Sequence, residues 1–142
     1  MSEHKMAMPA NGAFCWNELA TNDSDAAVKF YTELLGWEIK KSDAMESCEG
    51  SDAPPVVYNE IVVGGEHVGG MYAMGPEYGG APPHWMSYVA VGDVDERARK
   101  VVELGGKVCV PPTDIPNVGR FCVINDPTGA TISLITLKGA HS

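Results

Sequence analysis

Basic residues are scarce: 10 Lys and Arg stand against 19 Asp and Glu, a formal net charge of −9 over 142 residues. Phosphate contacts need a basic stripe, so nucleic acid is not an expected partner. Cysteine is sparse as well, and Cys15, Cys48, Cys109 and Cys122 lie far apart with no C-x-x-C spacing. Neither a zinc knuckle nor a dithiol redox motif is written, and four reduced thiols in a cytoplasmic protein are the plain expectation. No run approaches the roughly 18 apolar residues of a membrane span. The opening "MSEHKMAMPA" has no apolar stretch of a signal peptide, so residues 1–10 are expected to be a disordered start to a soluble chain. No G-x-S-x-G nucleophile motif occurs, and acyl transfer is therefore not indicated.

What the chain does contain is a repeat. A constant offset of 70 residues matches Asp23 with Asp93, Asp25 with Asp95, Glu33 with Glu103, Leu34 with Leu104 and Gly36 with Gly106. In the first copy, residues Ala13 to Ala20 alternate as a strand does, and "TNDSD" supplies helix caps. Val28, Tyr31, Leu34 and Leu35 then recur at helical spacing, with Phe30 on the same broad face, and Gly36 ends the helix. A strand is expected at Trp37 to Lys41, then a polar surface loop "SDAMESCEGSDAPP", then a hairpin around Gly64-Gly65. The second copy repeats the order: strand Trp85 to Val91, helix Asp93 to Leu104, strand Val108 to Val110, and a hairpin turning on "DPTG". The expected fold is α+β, with two β-α-β-β-β modules in one domain at about residues 11–74 and 84–138, linked by 75–83. Side by side, two such units form a curved mixed sheet, a cup, with the helices outside.

The stretches "AAVKFYTELLGWEI", "DVDERARKVVELGGKV" and "NDPTGATISLI" resemble the vicinal oxygen chelate superfamily, which holds glyoxalase I, extradiol dioxygenases, fosfomycin-resistance enzymes and bleomycin-resistance binding proteins. The resemblance runs from about Asn11 to Leu137, and "CWNELAT", "PPTDIPNVGRF" and "DPTGA" look most like a bacterial glyoxalase-related branch. The resemblance implies a small-molecule partner and a monomer or homodimer. In metal-dependent members it also implies one divalent ion, held by the first and last strands of each module. Those positions fall here on Trp16, Met86 and Ser133, with Gly70 or Met71 as the fourth depending on hairpin alignment. None offers an imidazole or carboxylate, an indole has no lone pair to give, and a thioether is too soft for such a site. The expectation is that the family metal site is absent and that no cofactor is held.

Strand alternation then defines a different lining. If Trp16 faces the cup, so do Phe14 and Glu18, and Met86 brings His84 and Tyr88 with it. Ligand-binding candidates are therefore Phe14, Trp16, Glu18, Met71, His84, Met86, Tyr88, Arg120 and Ser133. Arg120, in a Pro-rich loop leading into a strand, would suit a carboxylate or enolate if its guanidinium pointed inward. Glu18, a carboxylate in a half-buried strand, is expected either to pair, with Tyr88 or Arg120 as candidate partner, or to be raised in pKa. Two functions stay open. One is a metal-free binding protein for a small aromatic or amphipathic molecule. The other is a lyase, isomerase or dioxygenase-type enzyme with Glu18 or His84 as candidate base.

Overall fold

The computed structural model describes residues 9–45, 56–75, 80–115 and 118–138. Cys48, most of the polar loop before Val56, the middle of the linker, His4, His141 and the first eight residues lie outside them. The described residues divide into two compact units, one of Trp16–Met86, the other joining the chain start through Cys15 to Ser87 and beyond.

The first unit holds most of strand β1 (Phe14–Thr21), helix α1 (Ser24–Leu35) and strands β2 (Glu38–Met45), β3 (Val56–Val63) and β4 (Glu66–Ala73). Its strands lie in the order β2-β3-β4-β1, with β1 parallel to β4 and the other pairs antiparallel. Asp23 caps α1, its carboxylate accepting from the Ala26 N–H at 3.0 Å, and Gly36 ends it at φ 74°, a left-handed cap that costs glycine little. Leu19, Ile61 and Met71 form the core beneath this helix, with Ala27, Val28, Tyr31, Trp37 and Ile39 against them. Phe30, Leu34 and Leu35 do not join it and are exposed. The helix's apolar arc is broader than the strip the sheet covers.

The second unit repeats the plan with β5 (His84–Ala90, beginning in the first unit), α2 (Val94–Glu103), β6 (Lys107–Ile115), β7 (Gly119–Asn125) and β8 (Thr131–Leu137). The order is β5-β8-β7-β6, again with one parallel pair, β5 with β8. Asp93 caps α2 through the Asp95 and Glu96 N–H groups. Val91, Val94, Ala98, Cys122 and Ile124 form its core. The described residues before Trp16 belong here: the Gly12 N–H donates to the Ala90 carbonyl at 2.7 Å and the Ala90 N–H to the Ala13 carbonyl at 2.8 Å. The two β-α-β-β-β modules make the chain α+β.

One expectation needs correcting. "PPTDI" is strand, not loop, because β6 continues to Ile115 with register shifts between Val108 and Val110 and between Val110 and Thr113. β6 is the last strand in its order, so one of the adjacent Pro111 and Pro112 can turn its missing N–H to the open edge, while the register shift between Val110 and Thr113 frees the other from the ladder with β7.

Candidate functional site

Parity sets the faces of the first module. Leu19 and Met71 are register partners across β1 and β4 and both pack under α1, so their neighbours Glu18 and Gly70, also register partners, belong to the opposite face. On that face the Trp16 Nε1–H donates to the Tyr58 hydroxyl at 2.9 Å, and that hydroxyl donates to Glu18 Oε2 at 2.7 Å. The direction is fixed by chemistry. An indole nitrogen can only donate, so the phenol oxygen accepts and its one proton goes on to the carboxylate. Tyr58 is buried, and Trp16 and Glu18 are half-buried.

Gly70 makes room for this chain. A Cβ there would sit 2.1 Å from the Tyr58 hydroxyl oxygen, so the phenol occupies the space where a β4 side chain would begin. Tyr72, the next residue of that face, lies beside Tyr58 with ring centroids 6.4 Å apart and planes 25° from parallel. Glu60 is Gly70's register partner on the other side, and its carboxylate pairs with His67.

The remaining candidates divide clearly. Met71 is not a lining residue: it is fully buried under α1, which leaves Gly70 as the β4 position on the opposite face. Arg120 is not one either. It shares its face of β7 with Cys122 and Ile124, beneath α2, and its guanidinium holds Asp95 in a two-point fork at 2.9 and 3.1 Å, with Asp114 at 3.0 Å. That pairing keeps the Asp95 carboxyl below the usual aspartate range and the Arg120 guanidinium firmly charged. His84 is exposed, its Nδ1 donating to the Pro82 carbonyl at 2.8 Å, and Phe14 is 69% exposed. Met86 is half-buried. Its neighbour Trp85 turns toward α1, donating to the Tyr31 hydroxyl at 3.3 Å and standing edge-on to the Tyr31–Trp37 stack.

In the second module Tyr88 and Ser133 are register partners on the face away from α2, and Tyr88 lies 6.4 Å from the Phe121 ring. Ser133 is fully buried and its hydroxyl has no hydrogen-bond partner among the described residues. Burial pushes the Cys15 and Cys122 thiols up, so both stay protonated and are poor nucleophiles.

The candidate-site residue that sequence reasoning missed is Tyr58. In "VVYNEIVV", Ile61 under the helix places Tyr58 and Glu60 on the opposite face by alternation alone. The signal was present, but its partners stand 40 and 42 residues away in sequence. The positions expected for the family's metal ligands carry Trp16, whose N–H is engaged by Tyr58, Gly70 with no side chain, the Met86 thioether and the neutral Ser133 hydroxyl. This donor set does not fit a divalent ion. Among the described residues, no group of three or more His, Cys, Asp or Glu could hold one.

A family model described as the Glyoxalase/Bleomycin resistance protein/Dioxygenase superfamily matches residues 14–134. The chain is 40% identical over 124 residues to "Putative glyoxylase CFP32" of Mycobacterium tuberculosis, covering 87% of this chain and 44% of that protein. It is 31% identical over 132 residues to "Anthracycline biosynthesis protein DnrV" of Streptomyces peucetius, covering 88% and 47%. The chain thus spans about half the length of the curated relatives it matches. Among solved structures, methylmalonyl-CoA epimerase from Mycobacterium tuberculosis superposes with a TM-score of 0.59 at 17% identity, covering 94% of this chain and 93% of that one. Hypothetical protein BH1468 from Bacillus halodurans superposes with a TM-score of 0.61 at 13% identity, covering 94% and 99%. Those two likenesses carry the fold and nothing finer.

Proposed function

This chain belongs to the Glyoxalase/Bleomycin resistance protein/Dioxygenase superfamily, and we propose that it binds a small organic molecule on the sheet face opposite α1 without a divalent metal. The observation that carries this reading is the Trp16–Tyr58–Glu18 chain of hydrogen bonds over Gly70. It sets a few convergent polar groups among aromatic side chains, the usual make-up of a small-molecule site. The metal-free part rests on donor chemistry: at the family's ligand positions this chain has indole, hydrogen, thioether and hydroxyl. The relatives' names, a glyoxylase and an anthracycline biosynthesis protein, suit a small organic ligand in general terms. Free Cys15, Cys109 and Cys122 suit a reducing compartment, the cytoplasm, and no helix among the described residues is long and apolar enough to cross a membrane.

Native mass spectrometry of untagged protein, purified without chelator or added metal, tests both parts. Bare protein or an organic adduct is expected, and a mass increment of one divalent ion would overturn the metal-free reading. Trp16 also reports on the face directly, because Trp37 and Trp85 lie with Tyr31 of α1. Ligand-induced fluorescence change should disappear in Trp16→Phe, and its persistence would place the ligand elsewhere.

A second reading is favoured by the 2.7 Å phenol–carboxylate bond: a lyase or isomerase acting on a small carbonyl substrate, with Glu18 as general base. Glu18→Gln should then abolish turnover with folding intact, and an unchanged rate would remove this reading.

A further inference from the structure

Two hydroxyls of β8 are treated differently by the second unit. Thr136 is bonded twice, accepting from the Val94 N–H and donating to the Val91 carbonyl. Ser133 is fully buried, and its hydroxyl has no hydrogen-bond partner among the described residues. Its neighbours Ile132 and Leu134 pack beneath α2, so Ser133 and Ile135 face the other way. By the same alternation Tyr88 and Ala90 on β5, and Phe121 and Val123 on β7, share that face, and all six residues lie in one unit. None of the six is an acid or a base such as Asp, Glu, Lys or Arg. Because β8 lies between β5 and β7, the Tyr88 and Phe121 rings, 6.4 Å apart, close over it from its two sides. A hydroxyl withdrawn from water and left unpaired destabilises the fold, and alanine at the same place would not.

We propose that the Ser133 hydroxyl is kept unpaired within the fold so that it can anchor the uncharged carbonyl oxygen of a flat aromatic ligand. This goes beyond the reading of the first module's face, since it stands on the second unit's residues alone. The hydroxyl has one proton to donate, which suits a carbonyl acceptor. The Tyr88 and Phe121 rings are tilted by 53° rather than stacked, and a ligand reaches Ser133 by parting them and laying its own ring between. A carboxylate or ammonium group would lose its water there without gaining a counter-charge from any of the six residues. Selection is therefore for a neutral oxygen, and an analogue without that oxygen leaves the hydroxyl unpaired and binds more weakly.

Two measurements on the intact protein test this, with 2-acetylnaphthalene as the ketone probe, 2-isopropenylnaphthalene as its equal in shape without the oxygen, and 2-naphthoate as its charged counterpart. In titrations by ligand-observed NMR, wild type is expected to bind the ketone about tenfold more tightly than the alkene, as one desolvated hydrogen bond implies, with 2-naphthoate weakest. Ser133→Ala should bring the ketone-to-alkene ratio to within about twofold. The same variant without ligand should be harder to unfold in urea, its unfolding equilibrium constant falling about fivefold or more, because a buried unpaired hydroxyl has gone. Ser133→Cys, whose thiol is a weak donor, should lose the ratio likewise and serves if the alanine variant folds poorly. Ser133→Ala no more stable than wild type would mean that the hydroxyl is already satisfied within the fold, and overturns the inference. So does a ketone-to-alkene ratio near one in wild type, a ratio that neither variant changes, or failure of the ketone to bind. Each of these outcomes leaves the first module's face to its own test, the Trp16 fluorescence response.

Discussion

The two modules share a strand order and a repeat in sequence, yet they place their polar networks on opposite faces. In the first, Trp16, Tyr58 and Glu18 are linked on the face away from the helix, and α1 packs on the sheet through Ala27, Val28 and Tyr31, with the Tyr31 hydroxyl also accepting from the Trp85 N–H. In the second, the links join helix to sheet: Arg120 grips Asp95 in the first turn of α2, and the Thr136 hydroxyl accepts from the Val94 N–H and donates to the Val91 carbonyl. The difference teaches that repeated backbone does not imply repeated use of side chains. The second module ties its helix down with charges and caps, and its other face carries the Tyr88 and Phe121 rings and the buried Ser133 hydroxyl. The first module, with its polar cluster on the other face, holds its helix chiefly by packing.

Substitutions that strike each arrangement separately should show this division. The largest effect is expected from Met71→Ala, which empties a fully buried position in the packing beneath α1. Urea denaturation should reveal a loss of about 2–5 kcal/mol, the usual range for a buried methionine truncated to alanine. A loss under 1 kcal/mol would mean that the first module does not rely on that packing. Gly70→Ala comes next. Its Cβ would overlap the Tyr58 hydroxyl, and the phenol must leave its place between Trp16 and Glu18. Overpacking of this kind costs about 1–3 kcal/mol, and the Trp16 emission should shift as its hydrogen-bond partner moves away. Tyr58→Phe keeps the ring and removes only the oxygen that joins the other two residues. Leaving half-buried polar groups without that bridge costs about 1–2 kcal/mol by denaturation, and stability unchanged within error would show that the chain is not formed in solution.

Much of the frame was legible in the sequence, because it is written locally. The 70-residue offset marked the two modules, "TNDSD" and Asp93 marked the helix starts, with Asp23 the cap within the first, and Gly36, Gly64 and Gly65 sit at positive φ where the turns need them. Alternation also put Trp16 and Glu18 on one face. The errors arose where a count of two had to be carried across an irregularity. One residue of slip exchanges Gly70 for Met71, and so exchanges a lining position for a core position. Arg120 was read as a loop residue free to turn inward, whereas it lies in a strand, two residues from the buried Cys122 and on the same face. Tyr58 was not read at all, since its role depends on a missing side chain at Gly70 that no local pattern couples to it.

The smallest expected effect belongs to the second module's clamp, and its value lies in its dependence on pH. Asp95 and Arg120 are both more than a third exposed, so solvent and salt screen their attraction. The Arg120 guanidinium stays charged throughout the measurable range, and only Asp95 can titrate. Because the folded state lowers the Asp95 pKa, the pair's contribution is complete above the unfolded aspartate value of about 3.9 and is lost as the pH falls through the lower folded value. Wild type and Asp95→Asn should therefore differ modestly in urea midpoint at pH 6, converge as the pH drops below that of an ordinary aspartate, and differ less in high salt. The Tyr58→Phe gap involves Glu18 instead and should not be closed by salt to the same degree, because its hydrogen bonds are short, partly buried and made by a neutral donor. If the two gaps respond alike to salt, then the modules do not divide their polar contacts in the way their hydrogen bonds indicate, and the contrast between an ion-pair clamp and a chain built on neutral donors is lost.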